Sequence, residues 1–320
     1  MGNCPPVFRC PLPEIPTPSS TDVRCFYSPD YDLPLPDGHP FPMRKFTDAH
    51  RFLLAAKIVR PTDITLVDPT PRPLIERIHH PTYLDNLIAD RFSSRERTVL
   101  GLPPGPALFE RSAREVEGTR LAAHAALADG VAANLAGGTH HAFPDHGEGF
   151  CVLNDVAITI ADLHTRQPNL RIFVCDTDAH QGNGTHAIFT KDDHVFTYSI
   201  HVGANYPSRK SPGDLDVPLQ RFANGDTFLS ALRQSLPDAV ESFRPDLAIW
   251  ISGADPHRND RFGQLQLSAR EMTLRDEFVG HLFVDQQIPL TVLYGGGYNR
   301  EVENTARLHR NTIATAARLR

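Results

Sequence analysis

Short apolar runs alternate with longer amphipathic segments along the second half of the chain. Four runs of five or six residues are apolar or β-branched and are bounded by polar or turn-forming residues, which is typical of buried strands. These runs are 171–175, 195–200, 247–252 and 290–294. Between them, segments 226–243 and 268–283 have the pattern of helices, and Ser268 with Glu271 forms a capping box at the start of the second. This alternation predicts a parallel sheet with helices on both faces.

Two helices are expected before these strands. The Ala-rich segment 113–135 consists of good helix formers and stops at the glycine pair 137–138, so we expect one helix there. Asn154 or Asp155 can cap a second helix that ends near residue 165.

The N-terminal residues 1–22 contain six prolines, too many for a packed helix or a central strand. We expect a floppy or surface-wrapping leader there. No repeat or linker-like stretch follows it, so residues 23–320 are expected to form one domain. The 320 residues are 40% hydrophobic and 22% charged, which is ordinary for a soluble globular protein with a sizeable core.

Charge and hydropathy argue against two classes of partner. The formal net charge is -6 and no cluster of Lys and Arg stands out, so nucleic acid is not expected as a direct partner. No run approaches the roughly 18 to 20 apolar residues that a membrane helix needs, and the N-terminus lacks the order of a signal peptide. We therefore expect a cytoplasmic protein without a membrane partner.

Residues that can bind a metal collect where the predicted strands end. Asp178 and His180 follow the strand at 171–175, and Asp255 follows the strand at 247–252. Parallel sheets bind ligands at the carboxyl ends of their strands. Two carboxylates and one imidazole suit Zn²⁺ or Fe²⁺ and leave positions open for water and substrate, as in catalytic sites. The alternative is that the acidic run after residue 175 only caps the next helix.

Two histidines and one tyrosine complete the candidate chemistry. His140 and His141 follow the glycine pair 137–138, which makes an irregular backbone possible there. One histidine can take a proton from an attacking water while the other assists. Tyr298 follows three glycines, and its phenol can donate to an oxyanion. The alternative is that the two histidines are ordinary surface residues and that the tyrosine only packs against its neighbours.

Five motifs in this order closely resemble the zinc-dependent histone deacetylase family. They are Gly-Gly-Thr-His-His at 137–141, Gly-Phe-Cys-Val-Leu-Asn-Asp at 149–155, Asp-Thr-Asp-Ala-His-Gln-Gly-Asn-Gly at 176–184, Gly-Ala-Asp at 253–255 and Gly-Gly-Gly-Tyr-Asn at 295–299. The resemblance extends over about residues 23–318. Segments 33–36 and 38–43, with Gln181 and Asn183, are most similar to the class IV branch and its bacterial relatives.

The resemblance implies an arginase-like α/β fold: three layers with a central, mostly parallel sheet of about eight strands and helices on both faces. It implies zinc held by Asp178, His180 and Asp255. It also implies an amidohydrolase that removes acetyl or bulkier acyl groups from the ε-amine of lysine in proteins or peptides.

The same resemblance implies individual roles. His140 is expected to be oriented by Asp176 and to act as an electrostatic helper. His141 is expected to be oriented by Asn183 and to act as general base and acid, while Tyr298 polarises the carbonyl.

A monovalent-cation site and a substrate channel are implied as well. Potassium is expected at Asp176 and Ser199 and at the backbone carbonyls of Asp178, His180 and Ile200. The wall of the acyl-lysine channel is expected to contain Gly149, Phe150 and Tyr206.

Two departures from the family pattern leave substrate selectivity open. Asn183 stands where some branches have a carboxylate, and segment 88–105 contains no match for the acidic residue that grips the substrate backbone in several members. The rim segments 100–105 and 202–207 are apolar or small, which favours acyl groups larger than acetyl.

Three other functions compete with this interpretation. An acetylpolyamine amidohydrolase or another deacylase of acylated small amines keeps the fold and changes the substrate. Two-manganese arginase chemistry needs bridging aspartates that are missing two places after His180 and beside Asp255. A binding module without activity would usually lack a ligand, a histidine or the tyrosine, and all are present.

Overall fold

A computed structural model describes residues 23–319, which form an eight-stranded sheet and ten α-helices. The strands are β1 Arg24–Tyr27, β2 Ile64–Leu66, β3 Val131–Asn134, β4 Ile172–Asp176, β5 Val195–Val202, β6 Leu215–Leu219, β7 Leu247–Ile251 and β8 Leu290–Leu293. The helices are α1 Lys45–Ala55, α2 Arg72–Ile75, α3 Pro81–Ile88, α4 Ser94–Leu100, α5 Pro106–Asp129, α6 Asp155–Arg166, α7 Asn183–Phe189, α8 Gly225–Phe243, α9 Ala269–Val284 and α10 Val302–Ala316. The predicted leader at 1–22 lies outside the described residues.

All strand pairs of the sheet are parallel, in the order β2-β1-β3-β8-β7-β4-β5-β6. Strand β4 lies between β7 and β5, so Asp176 pairs with Ile251 on one side and with Ser199 on the other. The loops that follow these strands therefore leave the sheet side by side. The expected arginase-like fold with a parallel sheet of about eight strands is confirmed.

Burial explains why the central strands have continuous apolar sequences. All five residues of β4 and of β7 are buried, because helices cover both faces of the sheet. Trp250 on β7 is 1% exposed, and its indole N–H donates to Thr177 Oγ1 at 3.0 Å. Strand β6, at the edge of the sheet, tolerates Pro218 because an edge strand does not need every backbone donor.

One predicted helix is wrong in its boundaries. The structure has no single helix over 113–135: α5 ends at Asp129, and residues 131–134 form strand β3 between β1 and β8. Gly130 ends the helix with φ +91°, a conformation that favours glycine. The four residues of β3 are all buried, so the demands of the sheet outweigh the helix propensity of two alanines.

The other predicted elements are confirmed with shifts of one or two residues. Strands β4, β5, β7 and β8 lie where the apolar runs predicted them, although His201 belongs to β5 instead of following it. Asn154 caps α6 by accepting the N–H of Ala157, and the capping box of Ser268 and Glu271 starts α9. No helix within residues 23–319 is long and apolar enough to cross a membrane.

Candidate functional site

Three predicted metal ligands meet at the carboxyl ends of β4 and β7. Asp178 and His180 lie in the loop after β4, and Asp255 lies in the loop after β7. His180 Nδ1 is 3.1 Å from Asp178 Oδ1 and 2.9 Å from Asp255 Oδ2. All three residues are buried, and one possible ligand atom from each lies within 4.8 Å of the others. This group can hold a metal ion.

Backbone donors fix the orientation of both carboxylates. The N–H of Gly296 donates to Asp178 Oδ2 at 2.7 Å, and the N–H of Ala179 donates to Asp255 Oδ1 at 2.9 Å. A Cβ atom at Gly296 would lie 2.4 Å from Asp255 Oδ2 and 2.6 Å from Asp178 Oδ2, so only glycine fits. The glycine-rich loop after β8 therefore closes directly over the two carboxylates.

The charges of this cluster fit a divalent cation. Burial and the neighbouring Asp178 charge raise the pKa of Asp255 to about 7. Burial lowers the pKa of His180, but the two carboxylates outweigh it and raise that pKa well above its ordinary value. Within residues 23–319, no Lys or Arg forms an ion pair with either aspartate. Two buried carboxylates facing one imidazole are the donor set of a catalytic metal site.

The adjacent histidines after β3 have different partners. The glycine pair 137–138 has φ +77° at both residues, so the backbone turns sharply just before them. His140 Nδ1 is 2.6 Å from Asp176 Oδ2, and His141 Nδ1 is 2.7 Å from Asn183 Oδ1. The ring centroids are 4.1 Å apart. Both histidines thus lie beside the candidate metal ligands, each with the partner that the sequence analysis expected.

The two partners give the histidines opposite charge states. Burial lowers the pKa of His140, but the charges of Asp176 and Asp178 outweigh it and raise that pKa to about 9. Burial and the positive charges of His140 and His180 hold the pKa of His141 well below its ordinary value. At neutral pH His140 is therefore protonated and His141 is not, which leaves His141 able to accept a proton.

The loop that carries the histidines is held by Asp155. Its Oδ2 accepts the N–H of Gly138 at 2.9 Å, and its Oδ1 accepts the N–H of Thr139 at 2.8 Å. The sequence pattern offered Asp155 as an alternative helix cap, but that role belongs to Asn154. The position of Asp155 at the end of the 149–155 motif was the available signal.

A cavity of about 310 Å³ opens onto this site. His141, His180 and Tyr298 line it together with the three predicted channel residues Gly149, Phe150 and Tyr206. The other lining residues are Thr98, Val99, Leu100, Gly101, Asn205, Arg261, Phe262 and Gln264. The two rim segments of the sequence analysis contribute Leu100, Gly101, Asn205 and Tyr206, while the remaining residues of those segments do not line it.

The channel wall is tightly packed at Gly149. A Cβ atom there would lie 2.8 Å from both Tyr206 Cε1 and His141 Cδ2. Tyr206 meets the His141 ring edge to face, with centroids 5.0 Å apart, and the Phe150 ring lies 5.7 Å from Tyr298. Aromatic side chains therefore form a narrow wall directly over the candidate base.

Tyr298 is held by both its backbone groups. Its N–H donates to Asp260 Oδ2 at 2.5 Å, and its carbonyl accepts from Arg261 Nε at 2.8 Å. Its ring centroid is 6.4 Å from that of His180. Burial and the charge of Asp178 raise the pKa of the phenol well above its ordinary value, so the phenol keeps its proton and can donate it to a hydrogen bond.

A smaller chamber of about 30 Å³ shares Gly149, Phe150 and Tyr298 with the cavity as lining residues. Its polar lining includes Lys45, Arg111, Glu115, Thr139 and His140. Lys45 Nζ donates to the carbonyl of Gly295 at 3.1 Å, and burial lowers the pKa of Lys45 to about 8. Lys45 was not predicted, because an Arg-Lys pair at the start of a helix gives no sign that the lysine is buried beside the site.

The residues expected to hold potassium lie on neighbouring strands. Asp176 and Ser199 are opposite each other in the β4–β5 register. Asp176 Oδ1 accepts the N–H of Asp178 at 3.0 Å, and Ser199 Oγ is 2.9 Å from His201 Nδ1. Asp176 thus joins this region to His140.

Glu148 and Arg261 also belong to the site and were missed. Glu148 Oε1 accepts from Asn183 Nδ2 at 2.6 Å, behind the residue that contacts His141. Arg261 lines the cavity and donates to the carbonyls of Tyr298 and Pro40. The position of Glu148 between two glycines was a signal, whereas Arg261 had none.

The chain matches one family model over most of its length and is similar to several known proteins. The family model described as the histone deacetylase domain matches residues 39–316. An uncharacterised protein of Picosynechococcus sp. is 36% identical over 283 residues, which cover 88% of this chain and 94% of that protein. Histone deacetylase 2 of Arabidopsis thaliana is 28% identical over 310 residues, which cover 92% of this chain and 79% of that protein.

Solved structures agree on the fold. A crystal structure described as an HDAC homolog complexed with SAHA superposes with a TM-score of 0.80 at 24% identity. The alignment covers 92% of this chain and 84% of that one.

Proposed function

Because the chain belongs to the histone deacetylase family, we propose that it is a zinc-dependent hydrolase that removes acyl groups from the ε-amine of lysine in proteins or peptides. Membership of the family gives the general reaction, which is hydrolysis of the deacetylase type. In this proposal, residues 23–320 act as a single catalytic domain. The observation that supports the finer proposal is the convergence of Asp178, His180 and Asp255 beside His141 and Tyr298 on one cavity.

The proposed metal ligands are Asp178, His180 and Asp255. Zinc held there would act as a Lewis acid on the amide carbonyl and make water more acidic. Fe²⁺ suits the same donors. The chain's own contribution is to present two oriented carboxylates and one imidazole in a dry pocket, since the backbone amides of Ala179 and Gly296 hold the carboxylates.

The proposed acid–base group is His141. Its Nδ1 faces Asn183, so its other ring nitrogen is free to take a proton from the attacking water and later give it to the leaving amine. His140, protonated beside Asp176, supplies a fixed positive charge close to the developing negative charge. This division of labour matches the opposite pKa shifts of the two histidines.

Tyr298 is proposed to donate its phenolic hydrogen bond to the carbonyl oxygen of the substrate. The backbone N–H and carbonyl of Tyr298 are both held by hydrogen bonds, so little reorganisation of this residue accompanies the reaction. Gly149, Phe150 and Tyr206 form the wall along the lysine side chain.

We also propose a potassium site at Asp176 and Ser199, completed by the backbone carbonyls of Asp178, His180 and Ile200. A cation there would share Asp176 with His140 and tune the positive charge of that histidine. The class IV-like assignment is likewise a proposal, supported by Asn183 and Gln181.

Charge at the mouth favours acyl-lysine over acetylated polyamines, the other candidate substrates. Among the described residues that line the cavity, Arg261 is the only Asp, Glu, Lys or Arg. Lys210 and Arg221 donate to rim carbonyls, those of Asn205 and Ala204, and form no ion pair with a carboxylate of residues 23–319. A polycation would meet repulsion here, of about 1 kcal/mol per charge pair at 4 Å in water.

One substrate comparison tests this function. The zinc-loaded protein is mixed with acetyl-lysine peptides flanked by Glu or by Lys, and with an acetylated polyamine. We expect turnover of the peptides, with the highest kcat/KM for the Glu-flanked one. Turnover of the polyamine alone would establish the small-amine function instead, and turnover of neither substrate in zinc-loaded protein would contradict deacylase activity on both.

A further inference from the structure

Glu148 lies directly behind the partner of the proposed base. Its Oε1 accepts a hydrogen bond from Asn183 Nδ2 at 2.6 Å, while Asn183 Oδ1 is 2.7 Å from His141 Nδ1. The three side chains thus form a chain from Glu148 through Asn183 to His141. The side chain of Glu148 is 17% exposed and that of Asn183 is buried.

The chemistry of these groups fixes the direction of every bond. An ionised carboxylate can only accept hydrogen bonds, so Glu148 requires the NH₂ end of the Asn183 amide. The carbonyl end of Asn183 then faces His141 and must receive a hydrogen from Nδ1. The hydrogen of a neutral His141 is therefore on Nδ1, and Nε2 keeps its lone pair.

We propose that Glu148 is a positioning residue that sets the tautomer of His141 by locking the amide of Asn183. The proposal rests on the proposed function, in which His141 accepts a proton through Nε2. An asparagine amide has two ends of nearly equal size and can turn over when nothing holds it. In the turned amide, NH₂ would face Nδ1 and favour the tautomer with hydrogen on Nε2, which cannot accept a proton.

The surroundings of Glu148 also make the test practicable. His146 Nε2 is 3.8 Å from Glu148 Oε2, and a second cavity of about 290 Å³ is lined by Glu148, His146, Arg95 and Glu96. Truncation of Glu148 therefore opens space next to an existing cavity instead of leaving a void in the core. We expect the fold to survive Glu148→Ala.

The first experiment measures kcat and KM of zinc-loaded Glu148→Ala. Partners that orient site residues from behind are typically worth about 10- to 100-fold in activity. We expect kcat to fall by about that factor, with zinc content close to wild type. KM should rise as well, because Tyr206 of the channel wall also hydrogen-bonds to Glu148. Asp145→Asn is the matched control, since it removes a carboxylate from the same loop that contacts His146 and not Asn183. An unchanged kcat in Glu148→Ala overturns the proposal.

A second experiment separates positioning from a structural role. In Asn183→Asp, the new carboxylate can orient His141 by itself, but it faces Glu148 at the distance of the present hydrogen bond and is repelled. Replacing Glu148 by Gln supplies an N–H donor and removes that repulsion. We expect Glu148→Gln to lower kcat in the wild-type background and to raise it several-fold in the Asn183→Asp background. A lower kcat for Glu148→Gln in both backgrounds would mean that Glu148 only supports the fold.

A third readout does not depend on turnover. The ¹⁵N chemical shifts of histidine distinguish a protonated ring nitrogen from one with a lone pair. We expect His141 in zinc-loaded wild type to have hydrogen on Nδ1, and Glu148→Ala to show a mixture of tautomers. An unchanged single tautomer in Glu148→Ala overturns the positioning role even where wild type turns over acyl-lysine. A wild type with the expected tautomer but no turnover would contradict the proposed function alone.

Discussion

His180 Nδ1 lies 2.9 Å from Asp255 Oδ2, although 75 residues separate the two along the chain. The contact exists because β4 and β7 are neighbours in register, so the loops after them leave the sheet together. Asp178 reaches the same ring nitrogen from the loop of His180 itself. In the structure, the Nδ1 atom of His180 contacts the carboxylates of both Asp178 and Asp255. A metal ion bound by these three residues would replace the hydrogen that they now share. Loss of any one ligand should therefore weaken metal binding by the other two.

Asp178→Ala should release the metal and abolish most activity, because two remaining ligands hold the ion weakly. Metal content by mass spectrometry and turnover of an acetyl-lysine peptide measure both effects. The exposed Asp238 on α8 offers a control, since Asp238→Asn removes the same charge far from the cavity. Full zinc occupancy with full turnover in Asp178→Ala would contradict the proposed metal site.

Tyr298→Phe removes one hydroxyl and leaves the backbone contacts of residue 298 to Asp260 and Arg261 in place. We expect zinc content to persist and kcat to fall by about 10²- to 10³-fold, the usual scale for one oxyanion donor. KM should change little, because the hydrogen bond strengthens only in the transition state. A rise in KM without loss of kcat would make the phenol a substrate-binding group.

His79 should make the protein sensitive to acid. It is fully buried, its Nε2 accepts the N–H of Asn154 at 2.9 Å, and burial lowers its pKa from 6.5 to about 4. Since the unfolded chain binds this proton more readily, stability is present above pH 6.5 and is lost as the pH falls toward 4. Between pH 7.5 and 4.5, wild type should lose about 2 to 3 kcal/mol more unfolding free energy than His79→Gln.

Denaturant unfolding at the two pH values measures that difference. The exposed His281 is the control, because His281→Gln makes the same substitution at a surface position. Equal acid sensitivity of wild type and His79→Gln would show that His79 does not carry the effect.

The acyl group preferred by the enzyme should be larger or more polar than acetyl. The cavity walls at Leu100 and Tyr206 are apolar, and each extra buried methylene adds about 0.8 kcal/mol of binding. The smaller chamber holds only about 30 Å³, and polar groups of Lys45, Arg111 and Glu115 line part of it, which favours a short or hydroxylated group over a long chain. Values of kcat/KM for acetyl, lactyl, butyryl and myristoyl versions of one peptide measure this, and acetyl ranking first would contradict it.

Sequence patterning predicted β4, β5, β7 and β8, because each is a run of mostly apolar or β-branched residues that is buried in a covered sheet. It failed at β3, whose Val-Ala-Ala-Asn sequence continues an Ala-rich helix and becomes a strand only through pairing with β1 and β8. It also missed β1 and β2, which have only four and three residues, and β6, which contains Pro218. Those strands form because they pair with adjacent strands of the sheet, and the local pattern of apolar residues gives no information about that pairing.

The candidate ligands, both histidines and Tyr298 were predicted from chemistry at strand ends and from the resemblance. Glu148 was not, since its contact with Asn183 joins two side chains 35 residues apart and depends on the bend at Gly149. Arg261 was not predicted either. Its partners are backbone carbonyls, and every residue type has one, so the sequence does not indicate these contacts.

The backbone amides of Ala179 and Gly296 donate to carboxylates from loops other than their own. Each of these two N–H groups can therefore exchange with deuterium only when two loops separate. The exchange rates of these two amides would measure how often the loops around the ligand cluster separate. A bound cation should slow both rates by the same factor, because it stabilises the closed arrangement. The two amides whose hydrogen bonds orient the carboxylates would thus serve as probes of how often the site opens.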